Sequence, residues 1–321
     1  LVSDYKMDDT YVLGVQVPFY YVMTALDIYG TIAAKAHAYL IPKSKFLFPA
    51  YLVQYLYDNK INLLSWVPSA LCMIANTNAF SVADLSAIKL IVFGGEVMPI
   101  KQLKAWQQAV PDAVYINAYG STEITDGCTY YIVDREFKDE DILPIGIPYS
   151  NCDVLVIDED GNPITEGVGE LVVRGNSVGY GYYKDPEKTA EVFIQNPLNS
   201  CYPETVYKMG DLVRFNEYGE LEYYGRKDFQ IKYMGRRIEL GEIEANVSSI
   251  DGVDENCCVF DSVKKRIVLF YSGAIDDKTL LKTLRSKLPD YMQPRKINHL
   301  PEMPHNQNGK INRKFLATQI S

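Results

Sequence analysis

Three short apolar runs constrain the fold of this chain more than any other feature. Residues 61–67 (INLLSWV), 89–93 (KLIVF) and 114–118 (VYINA) are too short for buried helices, and they read as buried strands. Helical stretches lie around and between them. Residues 51–59 carry apolar side chains at helical spacing, 68–75 opens on Pro68, and 99–110 is amphipathic with Pro99 near its start. Strand, helix, strand, helix, strand with short apolar strands predicts a parallel, doubly wound sheet.

The texture changes near Pro144. From there to about Tyr224 the expected strands are short and alternating, separated by polar turns at DEDGNP (158–163), GVG (167–169) and NEYG (216–219). Residues 153–157 and 169–174 read as a hairpin around such a turn, part of a small antiparallel sheet or barrel. A third pattern starts at Asp228, with helices over 239–249 and 278–287 and strands over 257–261 and 266–271. The expectation is an α/β and α+β multidomain chain: a partial doubly wound subdomain at 1–143, a β-rich subdomain at 144–227 and a mobile α+β domain at 228–321. The 321 residues agree with this, since about 150 residues per domain implies roughly two domains.

Charge and cysteine usage narrow the function classes. Lys plus Arg is 32 and Asp plus Glu is 41, a net charge of −9, and no Lys/Arg cluster stands out against that acidic background. General affinity for nucleic acid or an anionic membrane surface is disfavoured. No apolar run approaches the length of a membrane span. Residues 1–10 lack the basic start and apolar core of a secretory signal, so a cytoplasmic protein is expected. The six cysteines contain no C-x-x-C pair and read as free thiols in a reducing compartment. Three histidines leave little room for His-rich metal chemistry.

The most informative stretch is Asn117-Ala-Tyr-Gly-Ser-Thr-Glu123. It follows a strand and offers a glycine, two hydroxyls and a carboxylate. Backbone N–H groups and hydroxyls hold phosphate oxygens, and a carboxylate holds Mg²⁺. Alone, it is an ordinary strand-to-loop turn. Four further stretches accompany it: Gly94-Gly95-Glu96; Gly169-Glu-Leu through Gly181-Tyr-Tyr; Tyr207-Lys-Met-Gly-Asp-Leu212; and Tyr223-Tyr-Gly-Arg-Lys-Asp228 leading into Gln230–Glu244. Asn308-Gly-Lys-Ile-Asn-Arg-Lys314 comes near the end.

Together these resemble the adenylate-forming (AMP-dependent synthetase/ligase) superfamily. Its members include acyl-CoA synthetases, adenylation domains of nonribosomal peptide synthetases and D-alanine–carrier-protein ligases. The resemblance covers nearly the whole chain. The run Arg237-Ile-Glu-Leu-Gly-Glu-Ile-Glu244 looks more like the amino-acid-activating branch.

The resemblance implies a two-step reaction. A carboxylate attacks the α-phosphate of ATP to give acyl-AMP, and a pantetheine thiol of CoA or a carrier protein then captures the acyl group after the C-terminal domain rotates. It implies that Asn117, Ala118, Tyr119, Gly120 and Ser121 line the adenine and phosphate site, that Thr122 contacts phosphate and that Glu123 holds Mg²⁺. Gly94, Gly95 and Glu96 border the adenine and acyl pocket. Asp211 takes the ribose hydroxyls, with Tyr223 and Arg226 nearby. Lys310 bridges the carboxylate and ATP, a role suited to a compact mobile cation. Asn308-Gly309 is also an ordinary turn and Lys310 an ordinary surface lysine. Asp228 stands at the hinge.

In the acyl pocket the chain departs from the amino-acid pattern. Pro18–Tyr29 matches a stretch in which amino-acid activators carry an Asp for the α-amino group, and here that position is Val22, followed by Met23. A valine cannot pair with an ammonium. Either the substrate lacks an α-amino group or another acid serves. Asp126, three residues after Glu123, is the candidate, a solvated loop residue being the plainer alternative.

No T-S-G-T-T-G-x-P-K-like phosphate loop occurs in the sequence. The chain is therefore expected to be the back two-thirds of such an enzyme, impaired alone, with apolar surface at its N-terminal segment that favours a homo-oligomer. A binding module that keeps the adenylate pocket without activating its acid, and an inherited remnant, are the competing readings.

Overall fold

Seven strands run side by side in the sheet that opens the chain. The computed structural model describes residues 2–139, 141–227, 230–305 and 311–320. Val12–Val15 (β1) leads to a π-helical turn, Leu26–Gly30, a short helix, Thr31–Ala34 (α1), and the edge strand His37–Leu40 (β2). Pro49–Asp58 (α2) leads to Leu63–Trp66 (β3), Pro68–Ala75 (α3) to Leu90–Gly94 (β4), and Ile100–Ala109 (α4) to Val114–Tyr119 (β5). Thr129–Ile132 (β6) and Ile147–Pro148 (β7) complete the order β2-β1-β3-β4-β5-β6-β7. The pairings from β2 through β5 are parallel and those of β6 and β7 antiparallel.

Side chains alternate across this sheet. Leu64, Trp66, Ile91 and Phe93 share a core with Leu52 and Leu56 of α2, Leu71 and Ile74 of α3, and Leu103 and Trp106 of α4. Leu63, Leu90, Val92 and Ile116 face the other way, where Tyr5, Leu26, Ala34 and Tyr149 cover them. Each tryptophan buries its ring and satisfies its one donor: Trp66 Nε1 donates to the Gly14 carbonyl at 2.7 Å and Trp106 Nε1 to that of Leu71 at 3.0 Å.

An antiparallel sheet follows, made of Cys152–Ile157 (β8), Gly169–Gly175 (β9), Phe193–Gln195 (β10), Thr205–Phe215 (β11) and Leu221–Arg226 (β12). Its order is β10-β11-β9-β8, with β12 on β11, and Pro186–Val192 (α5) precedes β10. Val156, Leu171, Val173, Met209 and Val213 share a core with Tyr119, Ile124 and Cys128 from the end of β5 and its loop. That core fixes the β5 loop against the second sheet.

The chain folds as two compact units, Leu1–Lys227 and Asp228–Ser321. The second contains the hairpin Gln230–Tyr233 (β13) and Arg236–Glu239 (β14), then Leu240–Ser248 (α6), Val253–Asp261 (β15), Arg266–Gly273 (β16), Asp277–Lys287 (α7), Lys296–His299 (β17) and Arg313–Thr318 (α8). β16 pairs antiparallel with β15 and parallel with β17. Ile243, Val247, Leu269, Tyr271, Leu280 and Leu284 are among its core. Asp276 caps α7 through the N–H groups of Lys278 and Thr279, with Arg285 and Lys287 in the last turn, charges that complement the helix dipole. The architecture is mixed α/β and α+β, as the pattern implied. None of the six cysteines is in a disulfide. No helix among the described residues is long and apolar enough to cross a membrane.

Candidate functional site

Ligands of parallel α/β sheets sit beyond the carboxyl ends of the strands. There Gly94 closes β4 beside Ala118 of β5. A Cβ on Gly94 would lie 2.4 Å from the Ala118 carbonyl oxygen, so glycine alone lets the strand ends pair this closely. Gly95 has φ +83°, with open space where a side chain would stand. Glu96 turns back instead: its Oε2 accepts the Ser69 N–H at 2.9 Å, in the first turn of α3. That contact satisfies an otherwise orphaned helix donor.

The loop after β5 is tightly self-packed. Asn117 is buried and donates Nδ2 to the Pro144 carbonyl at 2.7 Å. A Cβ on Gly120 would lie 1.8 Å from the Asp126 carbonyl oxygen. Ser121 precedes a single 3-10 turn, Thr122–Ile124, on which Thr122 is exposed. The Glu123 Oε1 accepts the Tyr182 hydroxyl at 2.7 Å, and its backbone carbonyl accepts the Gly179 N–H at 2.8 Å. Thr125 and Asp126 then take left-handed backbone, φ 57° and 84°.

Across from that loop, β11 shifts register between Lys208 and Leu212, where Gly210 has φ +69°. The irregularity sets Asp211 opposite Arg226 of β12. Arg226 Nη1 donates to Asp211 Oδ1 at 2.7 Å and to the Met209 carbonyl at 2.9 Å. The Tyr119 hydroxyl donates to Asp211 Oδ2. Burial first, and the Asp211 charge second, hold that phenol well above its ordinary pKa. The Tyr223 ring lies 6.3 Å from that of Tyr119. A carboxylate has about four lone-pair sites, so Asp211 retains acceptor capacity beyond these two bonds.

Tyr119, Asp211, Tyr223 and Arg226 are thus gathered in one cluster, and Gly94 and Ala118 lie together at the strand ends. Glu96 and Asn117 make structural bonds. Val22 and Met23 are part-buried just ahead of the π-turn, with Met23 against the sheet core. Asp126 is part-buried, and burial pushes its carboxyl up to about 7. Lys310 and Asp228 fall outside the described residues.

Three residues escape sequence reasoning. Tyr182 holds Glu123, and its only signal is its place in the Gly181-Tyr-Tyr stretch. Arg313, three residues past Lys310, pairs with Glu244, whose Oε1 also accepts the Cys258 N–H at 2.6 Å. Asp27 lies in the π-turn, 2% exposed, and neither carboxylate oxygen has a hydrogen-bond partner among the described residues.

The donor set fits an adenylate, with the open floor over Gly95, the exposed Thr122 hydroxyl and the spare acceptors of Asp211. For Mg²⁺, which commonly takes one or two carboxylates with phosphate and water oxygens, the single carboxylate of Glu123 fits. No group of three His, Cys, Asp or Glu side chains gathers among the described residues.

A partly parallel sheet whose β4 and β5 loops meet an acid from an antiparallel sheet has the architecture of adenylation domains. The family model for AMP-binding enzymes matches residues 2–183, and that for the AMP-binding enzyme C-terminal domain matches residues 242–310. The chain belongs to the AMP-binding enzyme family. It is 33% identical to tyrocidine synthase 3 of Brevibacillus parabrevis over 90% of this chain and 4% of that protein. It is 32% identical to a D-alanine--D-alanyl carrier protein ligase of Bacillus cytotoxicus over 100% of this chain and 65% of that protein. The chain therefore spans less than two thirds of these curated relatives. The crystal structure of IdnL1 superimposes with a TM-score of 0.85 at 29% identity, over 94% of this chain and 63% of that one. The Vibrio cholerae adenylation domain AlmE, solved with glycyl-adenosine-5'-phosphate, shares the fold, with a TM-score of 0.85 at 22% identity over 99% of this chain and 60% of that one.

Proposed function

We propose that the chain is the larger part of an adenylate-forming carboxylate ligase, and that its cleft between β4, β5 and β11 holds the AMP moiety of an acyl-adenylate. The observation that carries this reading is the Tyr119–Asp211–Arg226 cluster around a buried acid, together with the open space at Gly95 after β4. Asp211 accepts the ribose hydroxyls, Arg226 fixes its orientation, and Thr122 donates to phosphate. Glu123, oriented by Tyr182, holds Mg²⁺, which when bound neutralises phosphate charge. Lys310 bridges the carboxylate and the nucleotide, and Asp228 is the hinge for the thioester step. The acceptor is the pantetheine thiol of CoA or of a carrier protein; one relative is named as a carrier protein ligase.

The 321 residues contain no phosphate-loop run, so as an isolated polypeptide they bind adenylate without making it. The expected outcome is no carboxylate-dependent exchange of labelled pyrophosphate into ATP. Two copies associate through the exposed β2 edge.

The test is a thermal-shift titration with AMP and acetyl-sulfamoyl-adenosine. A ligand that binds only the folded state raises the melting temperature, by an amount set by RT ln(1 + [L]/Kd). Both should stabilise the wild type, and Asp211→Asn should weaken both. No shift at millimolar AMP would refute the proposal.

A further inference from the structure

Three tyrosines stand close together in the loop after β9, and they are not alike. Tyr180 and Tyr183 are exposed, at 106% and 88%, while Tyr182 is half-buried. Its hydroxyl donates to Glu123 Oε1 at 2.7 Å. The ring packs edge-on against Phe193, with centroids 5.7 Å apart, and Lys188 Nζ lies 5.2 Å from its centre. The Tyr182 N–H donates to Thr189 Oγ1 at 2.9 Å, and a Cβ on Gly181 would lie 2.3 Å from Thr189 Cγ2. Main chain and ring are both fastened, so the hydroxyl is delivered to a fixed point.

Glu123 lies in a single 3-10 turn, Thr122–Ile124, and such a turn does not by itself fix a long side chain with several rotamers. Two other bonds already fasten the tyrosine loop to this segment. The Gly179 N–H donates to the Glu123 carbonyl at 2.8 Å, and the Thr125 hydroxyl to the Ser177 carbonyl at 2.9 Å. Neither involves a carboxylate. Of the three bonds, that of Tyr182 acts on the charged group itself, so its effect falls on whatever Glu123 binds.

That effect separates cations by how they use a carboxylate. Oε1 accepts the tyrosine hydroxyl, so a cation that needs both oxygens of Glu123 must displace it, and one that takes a single oxygen need not. Ca²⁺ takes carboxylates in either mode, in flexible geometry, whereas Mg²⁺ demands a near-ideal octahedron that a chelating carboxylate distorts. We propose that Tyr182 is a positioning residue that sets the cation preference of Glu123: by engaging Oε1 it confines the carboxylate to one-oxygen ligation, which favours Mg²⁺ over Ca²⁺. This rests on the reading of Glu123 as the metal-holding acid.

The test follows Mn²⁺ by electron paramagnetic resonance on the 321-residue chain with AMP, with AMP and Mn²⁺ alone as the blank. Mg²⁺ and Ca²⁺ are added as competitors. The ratio of their affinities is read within one protein, so a general loss of affinity cancels. Wild type should prefer Mg²⁺ by at least ~10-fold, the scale of one hydrogen bond to a charged group. Tyr182→Phe keeps the ring and removes the hydroxyl, and it should bring the two cations within about twofold, chiefly by tightening Ca²⁺. Equal wild-type affinities would overturn the proposal without any variant. An unchanged ratio in Tyr182→Phe, including equal weakening of both cations, would also overturn it, and loss of Mn²⁺ binding in Glu123→Gln would then leave the metal reading in place. If wild type binds no Mn²⁺ beyond the blank, or Glu123→Gln binds it as tightly, the metal reading fails and this inference with it.

Discussion

Asp27 holds its proton far more tightly in the folded chain than in an unfolded one. Burial, then repulsion from Asp126, push its carboxyl to about 8, against about 3.9 for a free aspartate. Between those values the folded state keeps a proton that the unfolded state has lost. Its contribution to stability is therefore complete below about pH 4 and is lost as pH rises through 8, at up to ~1.4 kcal/mol per pH unit. Asp126, raised to about 7 in the neighbourhood of Tyr5 and Tyr149, acts in the same window. Urea unfolding between pH 5 and 8 should show Asp27→Asn with a shallower decline and, at pH 8, a stability above wild type. Parallel curves would refute the assignment. Asp211, in contrast to Asp27, has a hydrogen-bond partner on each carboxylate oxygen. Asp211→Ala removes the buried carboxylate on which Arg226 and the Tyr119 hydroxyl converge and should cost about 3–5 kcal/mol, whereas Tyr119→Phe removes one donor and should cost about 1 kcal/mol. The two sites differ in legibility for the same reason. Asp211 stands in a recognisable Met-Gly-Asp run. Asp27 is one acid in an apolar stretch, and its lack of a hydrogen-bond partner among the described residues is a three-dimensional fact that no spacing encodes.

Local conformation is fixed by a few glycines, and they are not equivalent. A Cβ on Gly120 meets backbone at 1.8 Å, while one on Gly95 meets nothing and costs only the left-handed backbone. Gly120→Ala should lower stability by about 2–4 kcal/mol and disorganise the 120–127 loop, whereas Gly95→Ala should cost about 1–2 kcal/mol. Chemical denaturation of the pair reads the difference directly, and equal losses would mean that the loop relaxes freely. The same contrast between packed and open surroundings explains which elements the sequence reveals. β3, β4 and β5 are legible because burial on both faces demands continuous apolar runs. The hairpin of β8 and β9 is legible from its polar turn. β2 is not, since His37-Ala-Tyr-Leu40 is exposed at every position and carries no period. The β13–β14 hairpin turns at Met234-Gly235, φ 52° and 71°, without the Asn-Gly signal of such turns, and its residues read as a motif instead. β17 pairs in parallel with β16 across an intervening helix, a long-range choice that local pattern cannot supply.

At the scale of the whole molecule, the exposed strand β2 and the separate cores each have a consequence. Among the described strands β2 pairs with β1 alone, and Tyr39 and Leu40 stand exposed on it, with Tyr29 and Ile32 exposed in the preceding turn and helix. An unprotected apolar edge is a template for another chain. Light scattering should therefore show concentration-dependent association that Tyr39→Lys combined with Leu40→Lys suppresses. A clean monomer across the micromolar range would argue against it. The second consequence concerns cooperativity. Leu1–Lys227 closes its cores around residues such as Leu52, Trp66 and Val213, and Asp228–Ser321 closes others around Ile243, Leu269 and Leu284. A unit with its own core unfolds as its own cooperative block, and multidomain chains depart from a single two-state transition. Leu284 is fully buried on α7, so Leu284→Ala should cost about 2–5 kcal/mol. In a domain of about 100 residues each kcal/mol lowers Tm by roughly 4–8 °C, so the transition of the second unit should fall by roughly 10 °C or more. Leu52→Ala, equally buried on α2, should lower the other transition and leave that one in place. Calorimetry in which either substitution moves a single shared transition would show that the two cores melt together.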